Sequence, residues 1–381
     1  MTTGNEPLRI GVVGCGNIAE TYLTNASLFR DVQITCCSDI DARQAVNRAA
    51  AFGIEALGVD TLLQREDVDL VLNLTVPQAH FDISLAALQA GKHVYTEKPL
   101  GVSASQGRRL LREAERVQRL IGSAPDTFLG AAGREARRLI DDGRIGQPVT
   151  GTAFMLGRGM EHWHPDPAFY YQPGAGPLFD MGPYYLTQLV GLIGPVARVQ
   201  SLASGGQVER TITAEGPLQN TRFAVGTPTT VLALLEFVSG AIVTFGTSWD
   251  VFRHSHQPIE IHGTEGSLSL PDPDTFGGSV FLSERGEVWI EHDSRVRAFG
   301  ERNWPPDAPD RANYRMLAVA DMAAAIRDGA APRASASLAL HVLDIMESIA
   351  LASTGGEALS LTTTVERPAR MDEADAQSLL V

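Results

Sequence analysis

The first third of the chain alternates short apolar runs with longer segments of helical periodicity. A strand is predicted from Leu8, with further strands at residues 32–37, 55–58, 68–74, 93–96 and 121–124. Between them, apolar positions three and four apart predict helices at residues 17–28, 42–52, 79–90 and 110–120. Strands that alternate with helices of this length form βαβ units, which build a parallel sheet with right-handed crossovers. We therefore expect a doubly wound, dinucleotide-binding fold here.

The remaining chain follows a different pattern. Residues 127–142 and 178–193 are predicted helices, and Asp126 is the kind of residue that caps the start of a helix. From residue 196 to about 297, alternating apolar positions separated by turns predict antiparallel strands in a broad, open sheet. Later helices are expected to pack back on the body of the protein. We predict an α/β protein, with a Rossmann dinucleotide-binding domain at residues 1–124 and a second α/β domain at residues 125–381 that binds substrate.

Candidate chemistry begins at the turn that follows the first strand. Gly14 permits a tight turn, and Gly16 lets the backbone approach a pyrophosphate closely. Asn17 and Ile18 then open a helix, whose unpaired N–H groups attract an anion. A strand, a glycine turn and a helix start in this order predict a cradle for the cofactor's phosphates.

The second strand supplies a candidate for coenzyme choice. Asp39 follows this strand, where a carboxylate can bind the diol of an adenosine ribose and repels a 2′-phosphate. Asp39 therefore predicts NAD as the cofactor. Ser38 and Arg43 lie close to it in the sequence and keep NADP as an alternative.

Two later strand ends complete the predicted cofactor crevice, because ligands of open parallel sheets bind beyond the carboxyl ends of the strands. Thr75 and Pro77 follow the fourth predicted strand, and His80 lies near the start of the next helix. Glu97 and Lys98 follow the fifth strand, and the proline after Lys98 keeps that residue extended. We predict that all five bind the cofactor and that the Lys98 ammonium points into the crevice.

Composition narrows the choice of partners. The net charge of −14 and the pI near 5.1 argue against nucleic acid or an anionic membrane surface as a partner. No stretch reaches about 18 uninterrupted apolar residues, and residues 1–7 lack the pattern of a secretory signal. Three cysteines without metal-ligand spacing indicate a reducing compartment, so we expect a cytoplasmic protein.

Together with residues 174–182, Gly-Ala-Gly-Pro-Leu-Phe-Asp-Met-Gly, these motifs resemble the Gfo/Idh/MocA oxidoreductases over nearly the full chain. The resemblance implies a Rossmann domain followed by a domain with an open, mostly antiparallel sheet. It also implies NAD or NADP, substrates such as sugars, inositols or their derivatives, and homodimers or homotetramers formed through the open sheet.

The resemblance also implies site residues. Lys98 matches the family's active-site lysine, and Asp180 matches its helix carboxylate. Family members commonly carry a histidine four residues after this aspartate, where this chain has Tyr184. The spacing keeps Tyr184 on the helix face of Asp180. A phenol titrates at ~10, far above an imidazole. The proton acceptor is therefore either Tyr184 with a pKa lowered by the charge of Lys98, or a histidine from elsewhere.

Histidines and a tryptophan of the second domain are candidate substrate contacts. His162, Trp163 and His164 lie in a long loop, and His254 and His256 follow a later strand. Imidazoles can bind hydroxyl groups, and an indole can stack on a sugar ring. We predict that His162, Trp163, His164 and His256 bind substrate, with surface or packing roles as the alternative. No third metal ligand is recognisable by spacing, so no metal site is predicted.

These assignments predict hydride transfer between nicotinamide and the carbinol carbon of a sugar, inositol, related polyol or glycoside. Lys98 would bind the reacting hydroxyl, and Asp180 would orient either Lys98 or a substrate hydroxyl. Tyr184 or a loop histidine would relay the proton. One alternative is an NAD-using glycosidase that acts by transient oxidation. Another is a non-catalytic regulator that senses dinucleotides.

Overall fold

The fold is taken from a computed structural model that describes residues 6–381. Residues 1–5, part of the segment considered above for a targeting signal, lie outside the described residues. The chain divides into two compact units. The first runs up to Ala131 and includes Arg297–Leu343 and Pro368–Val381, and the second comprises Ala132–Val296 and Asp344–Arg367. The late helical region thus contributes to the first unit, although the sequence pattern predicts one boundary near residue 124.

The helices and strands of the described residues are as follows. The α-helices are α1 (Asn17–Ala26), α2 (Ala42–Phe52), α3 (Val59–Gln64), α4 (Pro77–Gln89), α5 (Ala104–Val117), α6 (Ala131–Asp141), α7 (Pro177–Ile193), α8 (Leu317–Asp328), α9 (Ala336–Gly355) and α10 (Glu373–Ser378). The strands are β1 (Leu8–Val13), β2 (Val32–Ser38), β3 (Glu55–Ala56), β4 (Leu70–Asn73), β5 (His93–Thr96), β6 (Ile121–Ser123), β7 (Pro148–Leu156), β8 (Val196–Ser204), β9 (Glu209–Thr211), β10 (Arg222–Ala224), β11 (Thr230–Phe237), β12 (Ile242–Ser248), β13 (Ile259–Gly263), β14 (Gly266–Leu270), β15 (Ser279–Glu284), β16 (Ile290–Asp293) and β17 (Leu359–Ser360).

The sheet of the first unit brings the segments that follow three of its strands to one edge. Its six strands run parallel in the order β3-β2-β1-β4-β5-β6, which is the doubly wound order. The βαβ prediction is therefore confirmed. Val13 pairs with Asn73, and Asn73 pairs with Thr96. The carboxyl ends of β1, β4 and β5 consequently lie side by side, and the residues that follow them share one edge of the sheet.

The second unit is built on a nine-stranded sheet in the order β16-β15-β14-β13-β7-β12-β11-β8-β17. β7 and β12 pair in parallel and the other neighbours are antiparallel. α7 packs on β7, β11 and β12 and covers the face that buries Ala153, Ala233 and Phe245. Leu202 and Leu232 are exposed on the opposite face. The predicted open, mostly antiparallel sheet is confirmed.

One helix raises the question of membrane insertion. α9 is long and apolar enough to cross a bilayer by length and composition, but 67% of its apolar window is buried inside the protein. A core helix meets the same criterion, so this finding is weak evidence for a membrane span.

Asp126 has a different partner from the one predicted. Its carboxylate accepts hydrogen bonds from the N–H groups of Met316 (3.2 Å) and Ala318 (3.3 Å) at the start of α8. It makes no capping bond to the helical turn that follows it. The prediction that it caps its own helix is wrong, because a helix distant in sequence packs at this position. Asp126 is buried, and burial raises the pKa of its carboxyl group to about 6.

This pKa predicts how stability depends on pH. Between the unfolded pKa near ~3.9 and the folded pKa, the native state holds a proton on Asp126 that the unfolded state has released. The free energy of unfolding should therefore fall as pH rises through this range. Relative to Asp126→Asn, which keeps an acceptor but does not titrate, the wild type should lose about 2 kcal/mol between pH 4 and pH 7. Urea titrations at several pH values measure this difference, and a constant difference would contradict the assignment.

Candidate functional site

The glycine turn of the first unit has the shape that a dinucleotide requires. Gly14 has φ +102°, and a Cβ there would lie 2.6 Å from the backbone of Leu74, at the end of β4. Gly14 is therefore needed for the approach of two strand ends. Gly16 immediately precedes α1, so its position offers no side chain to cap the first N–H groups of this helix. A Cβ at Gly16 would meet nothing within 4 Å. The space beside Gly16 is open at a helix N-terminus, which fits a bound pyrophosphate.

Asp39 lies against this turn. Its Oδ2 accepts the N–H of Cys15 (2.7 Å) and its Oδ1 accepts the N–H of Asp41 (2.9 Å). Two backbone amides thus fix the carboxylate beside the glycine turn. The structure brings Asp39 together with Gly14 and Gly16, as the motif predicts for a group that binds the ribose.

The start of α1 carries the other predicted phosphate contacts, and a cation that the sequence did not indicate. Asn17 is exposed and Ile18 is partly exposed. Arg48 of α2 donates to the carbonyl of Gly16 (3.4 Å) and pairs with Glu20 (3.2 Å). Nothing in the sequence links Arg48 to the turn, because its position depends on how α2 packs. It adds positive charge where the pyrophosphate is expected.

The turn after β4 is held by Asn73. The Thr75 hydroxyl donates to Asn73 Oδ1 (2.6 Å), and Asn73 Nδ2 donates to the His80 carbonyl (3.0 Å) and to Ser84 Oγ (3.0 Å). Pro77 is exposed at the first position of α4. The buried Asn73 side chain therefore fixes the backbone that presents Thr75 and Pro77.

His80 is 1% exposed. Its Nε2 lies 2.9 Å from the carbonyl oxygen of Thr75, and its Nδ1 lies 2.7 Å from that of Pro99. Both ring nitrogens therefore face the protein backbone. This geometry favours a role in fixing the two loops over the predicted direct contact with the cofactor.

Lys98 follows β5 and is partly exposed, and a cis peptide bond joins it to Pro99. Its backbone N–H donates to Glu97 Oε2 (2.9 Å), and the hydroxyl of Tyr22 donates to Glu97 Oε1 (2.9 Å). Glu97 is buried, with one oxygen on α1 and the other on the Lys98 backbone. We read Glu97 as a support for Lys98 rather than a group that reaches the cofactor.

The second unit presents Asp180 and Tyr184 on one helix. α7 begins after Gly176, whose φ of +90° and contacts with Thr227 leave little room for a side chain. The amide of Asp180 donates to the carbonyl of Gly176 (3.0 Å), in the first turn. Tyr184 lies one turn later and is buried. The structure therefore places the two side chains four residues apart on α7, as predicted.

A buried ion triad anchors the long loop between β7 and α7. Arg210 donates to Glu161 Oε1 (2.7 Å) and to Asp250 Oδ1 (2.5 Å), and it is 6% exposed. The hydroxyl of Tyr171 donates to the other oxygen of Glu161 (2.5 Å). These residues are widely separated in sequence and show no motif, so the sequence did not indicate the triad. It gives the loop a fixed attachment.

The predicted substrate contacts of this loop lie near that anchor. His162 is exposed, with Nδ1 2.5 Å from the Gly159 carbonyl oxygen. Trp163 is 55% exposed, and its ring meets the His164 ring edge-on at 5.3 Å. His164 Nδ1 accepts the N–H of Asp166. The loop therefore presents an exposed indole and an exposed imidazole in an ordered arrangement.

His256 lies elsewhere. Its ring packs on Phe154, with centroids 4.6 Å apart. Phe154 is in register with Gly246 and Leu232, on the face of the sheet opposite α7. This placement separates His256 from Asp180 and favours a role at the open face. Among the described residues, no group of three or more His, Cys, Asp or Glu side chains is arranged to hold a metal ion.

Comparison with known proteins identifies several that are similar to this chain. The 1,5-anhydro-D-fructose reductase of Ensifer adhaerens is 25% identical over 93% of this chain and 99% of its own length. An inositol 2-dehydrogenase of Salmonella typhimurium is 31% identical over 37% of this chain and 44% of its own length. Among solved structures, levoglucosan dehydrogenase in complex with NADH has a TM-score of 0.80 at 19% identity, covering 94% of this chain and 100% of that one. An NAD-binding oxidoreductase from Klebsiella pneumoniae has a TM-score of 0.79 at 21% identity, with the same coverage.

Two family models match the two parts of the chain. Residues 8–124 match the oxidoreductase family with an NAD-binding Rossmann fold, and residues 134–269 match the GFO/IDH/MocA C-terminal domain. The glycine turn and Asp39 lie within the first match, and Asp180 and Tyr184 lie within the second. Because the two models together match more than half of its residues, the chain belongs to the Gfo/Idh/MocA family of NAD-binding oxidoreductases.

Proposed function

We propose that the protein transfers a hydride between NAD and a hydroxyl-bearing carbon of a sugar, an inositol or a related cyclic polyol. The observation that carries this proposal is the NAD-binding turn and Lys98 at one edge of the same parallel sheet. The substrate class is supported by the relatives, whose names specify an anhydrofructose, an inositol and levoglucosan. All three are compact molecules with several hydroxyl groups.

The residues of the chain have the following roles in this reaction. When bound, the nicotinamide accepts or supplies the hydride. The Lys98 ammonium donates a hydrogen bond to the reacting oxygen and stabilises its developing negative charge. When the polyol is oxidised, Asp180 orients a substrate hydroxyl, and the proton passes to a histidine of the long loop or to Tyr184 acting as a phenolate.

Composition supports a specific role for Lys98. Of the 31 basic residues, 29 are arginines, and Lys92 and Lys98 are the two lysines. Lys92 lies at the amino end of β5, where its ammonium donates to the carbonyl of Arg65. Lysine is a compact point charge that suits a single alkoxide oxygen, whereas the forked guanidinium of arginine suits planar anions.

NAD is the preferred coenzyme in this proposal. Asp39 holds a negative charge at the position expected for the ribose, and this charge would repel the 2′-phosphate of NADP. Ser38, one of the residues that kept NADP open, is buried. Arg43 is exposed and lies 3.6 Å from Asp41.

We further propose that two copies associate through the open face of the sheet. This face carries large exposed apolar side chains in neighbouring strands: Leu202 (74% exposed), Leu232 (49%), Leu234 (48%) and Ile242 (50%). Leu232 is directly paired with Leu202. A contiguous apolar surface of this kind is typical of an interface between subunits.

A cytoplasmic location and a small-molecule partner complete the proposal. The three cysteines are free and buried, which supports a reducing compartment. The net charge of −14 supports a small polyol rather than nucleic acid as the partner. Cell fractionation with an antibody against the protein tests the location, and recovery with the membranes would contradict it.

A coenzyme and substrate panel, combined with one substitution, tests the reaction. Myo-inositol, 1,5-anhydro-D-fructose, levoglucosan and aryl glycosides are offered with NAD(H) and NADP(H). Lys98→Met should lower kcat by roughly 100-fold or more while NADH binding changes less than about three-fold. Lys92→Met, at the other lysine and just before β5, is the matched control and should retain activity.

Other outcomes of the panel would contradict the proposal. Glycoside cleavage without net change in NADH would favour the glycosidase alternative. NADH binding with no turnover of any polyol would favour the regulator. Full activity in Lys98→Met would remove Lys98 from the mechanism.

The two glycines of the turn provide a matched pair for cofactor binding. Gly16→Ala places a methyl group in open space, so the fold should be retained while the Kd for NADH rises by about ten-fold or more. Gly14→Ala places it against the Leu74 backbone, so the free energy of unfolding should fall by several kcal/mol, roughly 3. Calorimetry and fluorescence titration separate the two effects. Unchanged NADH affinity in Gly16→Ala would place the pyrophosphate elsewhere.

The proposed interface has its own test. Leu232→Asp should shift the protein toward monomers in light scattering, because a carboxylate at the centre of the contact would be buried unpaired. Leu351→Asp, at another exposed leucine, in α9, is the control and should leave the mass unchanged. A wild-type protein that is monomeric at micromolar concentration would refute the interface.

A further inference from the structure

His80 joins two segments that the parallel sheet leaves side by side. Thr75 belongs to the turn after β4, and Pro99 belongs to the segment after β5. The last backbone bond between these strands runs from the Glu97 N–H to the Asn73 carbonyl (2.9 Å). The imidazole of His80 bridges the two segments beyond that point, through the carbonyl oxygens of Thr75 and Pro99. It therefore extends the connection between the strands past the end of the sheet.

The bridge requires an N–H donor on the imidazole ring. Carbonyl oxygens only accept hydrogen bonds, and a neutral imidazole has one N–H to donate, whereas an imidazolium has two. Burial lowers the pKa of His80, while the two carbonyl contacts and the nearby Glu97 oppose this effect and Lys98 adds to it. In either protonation state, the N–H groups of the ring face these two carbonyl oxygens. A leucine or phenylalanine of similar size has no ring nitrogen, so it would leave the bridge between the two carbonyls without any donor.

We propose that His80 is a positioning residue that locks the turn carrying Thr75 and Pro77 to the segment carrying Lys98. Its action on the reaction is indirect, and this part rests on the proposed role of Lys98. Displacement of a catalytic group by about 1 Å can cost roughly 100-fold in rate. A link one residue away from Lys98, at Pro99, is therefore well placed to control the position of the ammonium group.

The test compares the buried His80 with His93, a partly exposed histidine of the same unit. His80→Leu removes both ring nitrogens from the two carbonyls, and His80→Gln keeps an N–H that can reach one carbonyl. His93→Leu is the matched control, because His93 lies at the opposite end of β5, where its Nδ1 accepts the N–H of Leu120 (3.0 Å). Hydrogen exchange, thermal denaturation, NADH binding and kinetics are measured for all three variants.

In His80→Leu, backbone amides of both residues 74–78 and residues 97–102 should exchange about ten-fold faster or more. The kcat should fall by roughly 10- to 100-fold while the KM for the polyol changes less than about three-fold. His80→Gln should recover part of both effects. His93→Leu should leave both segments and kcat unchanged, even if it lowers the melting temperature.

Two results would overturn the proposal. One is faster exchange confined to α4 in His80→Leu, because a lock must protect both segments. The other is a loss of kcat that simply follows the loss of stability in both histidine variants. If the wild type reduces or oxidises no polyol at all, the proposed function fails, but the exchange measurement still decides the role of His80.

Discussion

The parallel pairing of β1, β4 and β5 is the constraint on which the candidate site depends. Because Val13, Asn73 and Thr96 are in register, the segments that follow them start from one edge of the sheet. Beyond the last backbone hydrogen bonds of the sheet, side chains hold these segments in place. Asn73 holds the turn after β4, and Glu97 holds the backbone of Lys98. A cofactor bound along this edge meets groups whose positions are set by the sheet rather than by flexible loops.

The motifs that the sequence revealed are those whose function depends on local geometry. A tight turn needs Gly14, and a ribose contact needs a carboxylate at a strand end, so Gly14 and Asp39 can be recognised from spacing alone. Asp126 and Arg210 could not be assigned in this way, because their partners lie far along the chain and depend on tertiary packing. The placement of His256 against Phe154 could not be predicted for a related reason: the sequence pattern does not show on which face of the sheet a loop packs.

The second unit combines a stable sheet with a loop that carries the polar chemistry. Burial of Arg210 between Glu161 and Asp250 is favourable only while all three groups are paired. Loss of Arg210 would leave two carboxylates side by side, and loss of either carboxylate would remove one of the two ion pairs that hold the loop. The network therefore ties the stability of this region to the arrangement of the proposed substrate contacts.

The central claim is that the nicotinamide ring and the reacting hydroxyl of a polyol meet beside Lys98. A crystal structure of the protein with NADH and a bound polyol tests this claim most directly. We expect the nicotinamide C4 to face the substrate carbon, with the Lys98 Nζ about 3 Å from the hydroxyl oxygen on that carbon. A nicotinamide ring turned away from Lys98, or a polyol bound without contact to its ammonium group, would contradict the account.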